Sequence, residues 1–377
     1  MSGIYIHIPF CKQACHYCDF HFSTNLNRQQ EIVDALIKEL SLRKSEFSGV
    51  QVESIYFGGG TPSLLTPQQA RAVLDHIYTN FEMSQDPEIT LEANPDDLNA
   101  QKIKDFSTLG INRLSIGIQS FFEADLQLMN RSHTVHQSIE CLDQARKVFD
   151  NISIDLIYGI PGRSLRDWKS NIVSLARWDL PHISSYALTV EPKTVLAHQI
   201  KQGIVSDVDD IAAHAQFEYM VEALEADGFD HYEISNFGKP GYYSRNNTAY
   251  WLGKPYMGIG PSAHSYNGKE RSWNVRNNKK YLDAINNNTS PASVEKLSKV
   301  DRYNEKVMTG LRTQWGINLA TITEEFGAQF KAYALEQAEP HIARGVLKVE
   351  DQCLMSTANG KFLIDGIASE LFMINLG

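Results

Sequence analysis

The chain alternates between short runs with an apolar residue at every second position and longer runs with apolar residues at helical spacing. Ile4, Ile6 and Ile8 are separated by Tyr and His, which predicts a first strand. Residues 28–43 place apolar side chains three and four positions apart, which predicts a helix. The alternation is repeated about six times up to residue 192, so the sequence predicts repeated βα units.

The predicted elements of the first half define the fold class. Further strands are expected at 52–57, 88–95, 113–121, 151–162 and 182–192, with helices between them that include 99–108 and 165–177. Thr66 and Pro67 are the expected N-cap and first residue of another helix. Alternating strands and helices favour a parallel sheet with right-handed crossovers. The predicted class is therefore α/β, a partial (β/α)6 TIM-like barrel with its site at the carboxyl ends of the strands and a lateral opening.

The second half of the chain has a different pattern. We expect a helix at 207–228 and a strand at 231–237, whereas 238–280 is rich in Gly, Asn, Tyr and Trp and shows little regular pattern. From about residue 295 the order of helices and short strands predicts a small winged-helix-like module. The predicted domains are a core domain at 1–235, an irregular connecting segment at 236–290 and a C-terminal helical, winged-helix-like domain at 291–377.

Composition and charge exclude several classes of protein. The 377 residues suffice for one large domain and one small one, and the net charge of −10 argues against a nucleic-acid partner. No apolar run has the length of a transmembrane segment, and no signal peptide is seen at the N-terminus. We therefore expect a cytoplasmic protein, in which cysteines that lie close together favour metal binding over a disulfide.

Three of the five cysteines are the main candidates for chemistry. Cys11, Cys15 and Cys18 follow the first strand, which Pro9 ends. Three thiolates on one loop can hold a four-iron cluster and leave one iron open for chemistry. The alternatives are a zinc loop completed by a nearby histidine, His16 or His21, and a group of buried thiols. Cys141 and Cys353 are isolated, and Cys141 is expected in the core.

Five motifs occur in order at successive predicted strand ends. They are HIPFCxxxCxYC, GGGTP, ExNP, SxGxQ and DLIYGIPG. This series resembles the coproporphyrinogen-oxidase-like branch of the radical S-adenosylmethionine (SAM) superfamily. The resemblance implies a radical SAM barrel with a [4Fe–4S] cluster on Cys11, Cys15 and Cys18. It also implies that SAM chelates the open iron and is cleaved to a 5′-deoxyadenosyl radical by an electron from the cluster.

The same resemblance implies a set of SAM-contacting residues at or just beyond the strand ends. The set is Tyr5, Tyr17, Gly59, Gly60, Thr61, Glu92, Gln119, Arg131 and Asp155. Tyr5 corresponds to the tyrosine near the methionine group, and Tyr17 to the aromatic residue beside the third cluster ligand. The Gly59–Thr61 loop approaches the SAM amino group, where glycine permits close backbone contact. The carboxylates contact ribose or cationic groups, and Gln119 and Arg131 contact the hydroxyls and the carboxylate.

The branch contains an oxygen-independent coproporphyrinogen III dehydrogenase and a haem chaperone, and three features favour the chaperone. The dehydrogenase has a fourth cysteine where this chain has Phe20, and it has an N-terminal extension that we do not expect here. The YEISNF and SRxNxxYW segments resemble the chaperone. We therefore expect a protein that binds haem as cargo and passes it to an acceptor haemoprotein, with flavodoxin or ferredoxin as electron donor and without dehydrogenase activity.

Two other functions remain open alternatives, and the haem ligand is not identified. The first is the dehydrogenase reaction, oxidative decarboxylation of coproporphyrinogen III to protoporphyrinogen IX with SAM as oxidant. The second is a zinc-bearing interaction protein without catalysis. The chaperone group commonly has a histidine where this chain has Asn246. His231 and His264 are candidate haem ligands, since histidine is one of the residues that hold haem iron.

Overall fold

Six parallel strands form the centre of the computed structural model, which describes residues 2–374. The strands are Gly3–Ile8 (β1), Val52–Gly59 (β2), Met83–Ala93 (β3), Arg113–Gln119 (β4), Asn151–Tyr158 (β5) and His182–Ala187 (β6). They lie side by side in sequence order, with at least one helix in every crossover. The sheet does not close, because β1 and β6 each pair on the outer side with a strand from the second half of the chain. The expected partial barrel is therefore confirmed as an open sheet.

Four of the six helices in the crossovers begin at a side-chain N-cap. The six helices are Gln29–Arg43 (α1), Pro67–Asn80 (α2), Ala100–Thr108 (α3), Glu123–Leu128 (α4), Val135–Ala145 (α5) and Leu165–Ser174 (α6), with 3-10 turns at Lys44–Phe47, Pro62–Leu64, Pro95–Asp97 and Leu175–Arg177. The predicted start of α2 is confirmed: the Thr66 hydroxyl accepts from the Gln69 N–H, and Pro67 is the first helical residue. Cys141 of α5 is buried in the core, as expected.

The two faces of the sheet differ in polarity because side chains alternate along each strand. Ile4, Ile6 and Ile8 of β1 are almost completely buried in the main hydrophobic core, to which the crossover helices also contribute. Tyr5 and His7 lie on the opposite face, which we call the inner face. Polar side chains of all six strands therefore share the inner face, whereas the outer face supplies the core.

The second half of the chain extends this sheet at both edges. Its elements are Val195–Lys201 (α7), Asp210–Ala226 (α8), Asp230–Glu233 (β7), Asn236–Gly238 (β8), Arg245–Trp251 (α9), Tyr256–Ile259 (β9), His264–Tyr266 (β10), Glu270–Asn274 (β11), Asn278–Asn286 (α10) and Ala292–Lys296 (β12). The strand order is β12-β11-β10-β9-β1-β2-β3-β4-β5-β6-β8-β7. β9 pairs with β1 in parallel, and β8 pairs with β6 antiparallel.

Two expectations for this half are wrong. Residues 238–280 contain one complete helix, the start of another and three strands, so 236–290 is not an irregular segment. These strands have only three to five residues each, too few to show a period, and they are stabilised by pairing with distant strands. The single strand expected at 231–237 is two strands, because the chain turns between β7 and β8 where Glu233 accepts from the Ser235 N–H.

A smaller module with its own hydrophobic core follows. Its elements are Lys299–Leu311 (α11), Ile317–Asn318 (β13), Leu319–Phe326 (α12), Ala328–Ala343 (α13), Leu347–Glu350 (β14), Cys353–Ser356 (β15), Ala358–Lys361 (α14) and Ile364–Glu370 (α15). The three strands form an antiparallel sheet in the order β13-β15-β14. This arrangement of helices with a small antiparallel sheet agrees with the winged-helix-like module that we expected.

Candidate metal centre and cofactor site

The loop that carries the three cysteines follows β1 at the carboxyl edge of the sheet and is held by a distant segment. The His16 N–H donates to the Met129 carbonyl (3.0 Å), and the Gln13 amide donates to Oδ1 of Asn130 (2.6 Å). The Asn130 amide donates in return to the Ala14 carbonyl (2.8 Å). These bonds attach the cysteine loop to the turn that follows α4.

The three thiols are half-buried and lie free of disulfides. Burial raises the pKa of Cys11 to about 12, and burial also raises the pKa of Cys18. Thiols of this kind stay protonated without a metal, and they release protons when they bind one as thiolates. The donor set is therefore three sulfurs that are competent to hold a metal centre.

A single metal ion fits this loop poorly. A structural zinc ion needs four donors that converge on one point. Within residues 2–374, no group of three or more His, Cys, Asp and Glu side chains is arranged to hold one ion. His16 and His21 use ring nitrogens to contact the Leu128 carbonyl (3.0 Å) and Oδ1 of Asn278 (2.7 Å). An iron–sulfur cluster is larger than one ion and is bound by Cys thiolates, so the cluster fits better than zinc.

Arg131 connects this loop to the end of β4. Its Nη1 lies 3.4 Å from Sγ of Cys15 and 3.5 Å from the Tyr17 hydroxyl. Its Nη2 donates to Oδ1 of Asn94 (2.7 Å) and to the Gly117 carbonyl (3.0 Å). Its Nε is buried and has no hydrogen-bond partner among the described residues. A buried unpaired donor is costly, so a polar ligand group beside the cysteines would satisfy it.

Two half-buried carboxylates lie on the inner face next to this position. Glu92 accepts from the Tyr56 hydroxyl (2.8 Å) and the Gly59 N–H (3.2 Å), and Asp155 accepts from the Ser115 hydroxyl (3.2 Å). Burial raises the pKa of Glu92 to about 7, with the charge of Asp155 adding to the effect, and burial raises the pKa of Asp155 as well. A bound cation would restore the ionised forms, so the pocket fits a ligand such as a sulfonium or an ammonium group.

The glycine loop after β2 is fixed by contacts with the protein itself. Gly59 has φ = +109°, and a Cβ there would lie 2.5 Å from the His7 ring. A Cβ at Gly60 would lie 2.6 Å from the Phe10 carbonyl oxygen. Glycine is thus required for the approach of this loop to β1 and the start of the cysteine loop. Thr61 is buried and hydrogen-bonds the Cys11 thiol, which connects the two loops.

The structure brings every residue of the predicted set to this one region. Gln119 ends β4 in a bulge with φ = +67°, and its amide and the Arg131 guanidinium both lie beside Gly117. Burial raises the pKa of Tyr5, and the nearby charge of Glu92 raises it further. The geometry is compatible with the implied roles, which stay predictions for the individual residues.

Sequence reasoning missed three members of the site. The His7 ring lies between the Tyr5 hydroxyl (3.3 Å) and the His21 carbonyl (3.0 Å), Tyr56 donates to Glu92, and Asn94 accepts from Arg131. His7 and Asn94 each stand two positions after a predicted site residue. Strand alternation applied to Tyr5 and Glu92 was therefore the signal that would have found them.

Asn246 and the two candidate haem ligands, His231 and His264, differ in how accessible their side chains are to a ligand. Asn246 is buried near Gly3, at the edge of the sheet opposite the cysteines. The His231 ring is buried and has partners at both nitrogens, the Ile234 carbonyl (3.2 Å) and Nζ of Lys361 (2.8 Å). His264 is exposed on β10. Of the two histidines, only His264 is free to reach a ligand.

Comparisons with protein families and solved structures identify the class of protein. The family model of the radical SAM superfamily matches residues 5–172, and the model of the HemN C-terminal domain matches residues 297–363. A solved structure of coproporphyrinogen III oxidase (HemN) from Escherichia coli, described as a radical SAM enzyme, superposes with a TM-score of 0.85. It covers 99% of this chain and 90% of that chain at 23% identity, which shows a shared fold. The fold and the site thus define a radical SAM protein.

Similar sequences define the family within this class. The "Heme chaperone HemW" of Bacillus subtilis is 32% identical over the whole length of both chains. The HemW of Lactococcus lactis is 33% identical over 97% of this chain and 98% of its own. A mitochondrial radical SAM domain-containing protein 1 from Mus musculus is 31% identical over 97% of this chain and 86% of its own. This chain therefore belongs to the family of the HemW proteins.

Proposed function

We propose that the protein is a haem chaperone, which binds haem and delivers it to acceptor haemoproteins. The observation that carries the proposal is the end-to-end similarity to curated relatives named heme chaperone HemW. Phe20, where the dehydrogenases of the branch have a cysteine, supports the same function. A phenylalanine side chain has no sulfur, so this position adds no fourth sulfur ligand to the loop.

We infer that Cys11, Cys15 and Cys18 hold a [4Fe–4S] cluster and that SAM binds beside it. When bound and reduced, such a cluster supplies the electron that cleaves SAM in this superfamily. The inner-face carboxylates Glu92 and Asp155 would hold the cationic groups of SAM. Arg131 would keep a positive charge against the Cys15 sulfur and offer its unpaired Nε to the ligand.

The partners follow from the same proposal. Haem is the cargo, a haemoprotein is the acceptor, and flavodoxin or ferredoxin is the expected electron donor. All five cysteines are free thiols in the structure, which suits a reducing compartment such as the cytoplasm. Among residues 2–374 the structure has no helix whose length and apolarity would let it span a bilayer.

The test is an anaerobic titration of the reconstituted full-length protein with hemin, followed by addition of an apo-haemoprotein. We expect saturable spectral changes at one haem per chain and then transfer of haem to the acceptor. Absence of saturable binding would refute the proposal.

A parallel assay decides between the chaperone and the dehydrogenase. The same protein is incubated anaerobically with SAM, dithionite and coproporphyrinogen III, and porphyrin products and 5′-deoxyadenosine are measured. We expect no protoporphyrinogen. Its formation would favour the dehydrogenase, whose support at present is a likeness at 23% identity that shows the fold alone.

A further inference from the structure

The inner face continues beyond β1 onto the four strands β9 to β12, which lie at the open edge of the sheet and pair with one another antiparallel. Tyr5 is paired with Gly258 of β9, and Tyr256 of β9 is paired with Tyr266 of β10. The side chain of Ser265 points to the other face, where the guanidinium of Arg43 in α1 donates to it (3.1 Å). Residues on either side of Ser265 therefore point to the inner face, which places His264 on the same surface as the candidate cofactor site.

His264 stands out among the histidines by its lack of partners. Within residues 2–374, the rings of His136, His198 and His264 alone have neither a hydrogen bond nor an ion pair. His136 and His198 lie on the exposed surfaces of helices α5 and α7. His264 is the one of these three that lies on the sheet.

A neighbouring aromatic residue orients this imidazole. His264 is directly opposite Trp273 of β11, and their rings lie 6.2 Å apart at an angle of 29°. An iron atom bound to an imidazole lies in the ring plane along the nitrogen lone pair, so Trp273 can fix the ring without blocking that nitrogen. Trp273 keeps 36% of its surface exposed, which leaves the pair open to a large ligand.

Cationic and phenolic groups flank the same position. Tyr266 is paired with Arg271 of β11, whose guanidinium contacts the Glu305 carboxylate (2.8 Å) on α11. Arg271 and Glu305 keep 38% and 27% of their side-chain surfaces exposed. An arginine at the edge of an aromatic surface suits a planar ligand that carries carboxylates.

We propose that His264 is the protein ligand of the haem iron, on a surface formed by His264, Trp273, Tyr266 and Arg271. The proposal rests on the proposed haem-binding function and names the site for it. The imidazole supplies the iron ligand, the tyrosine and tryptophan supply apolar surface, and Arg271 contacts a haem propionate. The haem would then lie at the open edge of the sheet, on the face that also carries the candidate SAM pocket.

The test is hemin titration of the full-length reconstituted protein and its His264→Ala and His136→Ala variants, followed by absorption and electron paramagnetic resonance. Even outer-shell partners of metal ligands contribute about 10–100-fold to affinity, so loss of the direct ligand should raise the hemin Kd by about 100-fold. The spectral signature of histidine ligation should disappear as well. His136→Ala, which removes an unpartnered histidine elsewhere, should leave both the Kd and the spectrum unchanged.

Chemical rescue separates ligation from a structural effect. Imidazole, added at concentrations too low to change the spectrum of the wild-type complex, should restore the histidine-type spectrum of the haem complex in His264→Gly. If the wild type binds hemin and His264→Ala binds it with the same Kd and spectrum, the assignment of His264 is wrong and the chaperone proposal stands. If the wild type binds no hemin, both proposals fail.

Discussion

The Nη1 atom of Arg131 lies 3.4 Å from Sγ of Cys15, although 116 residues separate them in the sequence. The contact joins the loop after β1 to the segment after β4. Both segments follow parallel strands, whose carboxyl ends share one edge of the sheet. The contact therefore places a fixed positive charge beside a candidate cluster ligand.

The first prediction tests the ligand role of Cys15. Cys15→Ala should abolish the brown absorbance of the anaerobically reconstituted protein, because two thiolates do not hold the cluster. Iron and sulfide analysis measures the loss directly. Cys353→Ala is the matched control, since this half-buried thiol lies in the small sheet of the C-terminal module. Retention of the full four-iron content by Cys15→Ala would contradict the assignment.

The second prediction concerns the pH dependence of stability. Burial raises the pKa of Glu92 to about 7, above its usual value, so the native protein without SAM binds a proton that the unfolded chain releases. The contribution of this bound proton to the free energy of unfolding is fully present below about pH 4.3, and it is lost as the pH rises to about 7. Glu92→Gln should therefore make the unfolding free energy less dependent on pH in this window, as measured by urea denaturation at several pH values.

The control for this pH effect is Glu88→Gln, which alters a buried carboxylate on the same strand. Glu88 accepts from the Arg245 N–H, and the side-chain oxygen of glutamine can still accept this bond, so the pH dependence should persist in this variant. An unchanged pH profile in Glu92→Gln would show that Glu92 does not titrate there.

The same site should bind SAM more weakly below pH 7, since protonated Glu92 offers no charge to a cation.

The third prediction concerns the glycine loop after β2. It separates the loss of stability caused by a steric clash from the loss caused by a positive φ. Gly59→Ala should lower the unfolding free energy by about 3 kcal/mol or more, because it combines a positive φ with a clash against the His7 ring. Gly49 also has a positive φ, +71°, but a Cβ added there would have no atom within 4 Å, so Gly49→Ala is the control. It should cost only about 1–2 kcal/mol. Equal losses in denaturant titrations of the two variants would rule out the clash.

The fourth prediction tests the attachment of residues 236–290 to the core domain. Glu39 of α1 is completely buried and accepts from the Asn274 amide (2.8 Å), the Gly260 N–H (2.8 Å) and the Tyr281 hydroxyl (2.7 Å). Glu39→Ala leaves these donors and the Arg43 guanidinium without their shared acceptor, so it should cost about 3–5 kcal/mol.

The control for the attachment is Glu31→Ala on the exposed surface of the same helix, where the free energy of unfolding should stay close to that of the wild type. Urea unfolding measures both variants. Similar stabilities for Glu39→Ala and the wild type would mean that this network does not attach the segment.

Much of the candidate site could be predicted from the chain because its motifs occur at strand ends in sequence order. The cysteine spacing and the residues Glu92, Gln119 and Asp155 each belong to a local motif. Once parallel order is inferred, the carboxyl ends of the strands must meet. Arg131 belongs to no such motif, and its place was implied by family resemblance alone.

The edge strands could not be predicted, for a physical reason. β10 has three residues, His264–Tyr266, and its order comes from hydrogen bonds to β9 and β11 rather than from a period of its own. Hydrophobic patterning reports which face of an element is buried, and a strand this short shows no pattern. For the same reason, nothing in the sequence distinguished His264 from His231 as a candidate ligand.

The sequence by itself determined the parallel core, the cysteine loop and the family, since these depend on local periodicity and on motifs of contiguous residues. Only the tertiary structure decided which polar side chains lie within bonding distance. It paired Arg131 with Cys15, buried the His231 ring, and left His264 accessible beside Trp273. Access and partnership depend on contacts between residues far apart in the chain, and a linear pattern carries no record of those distances.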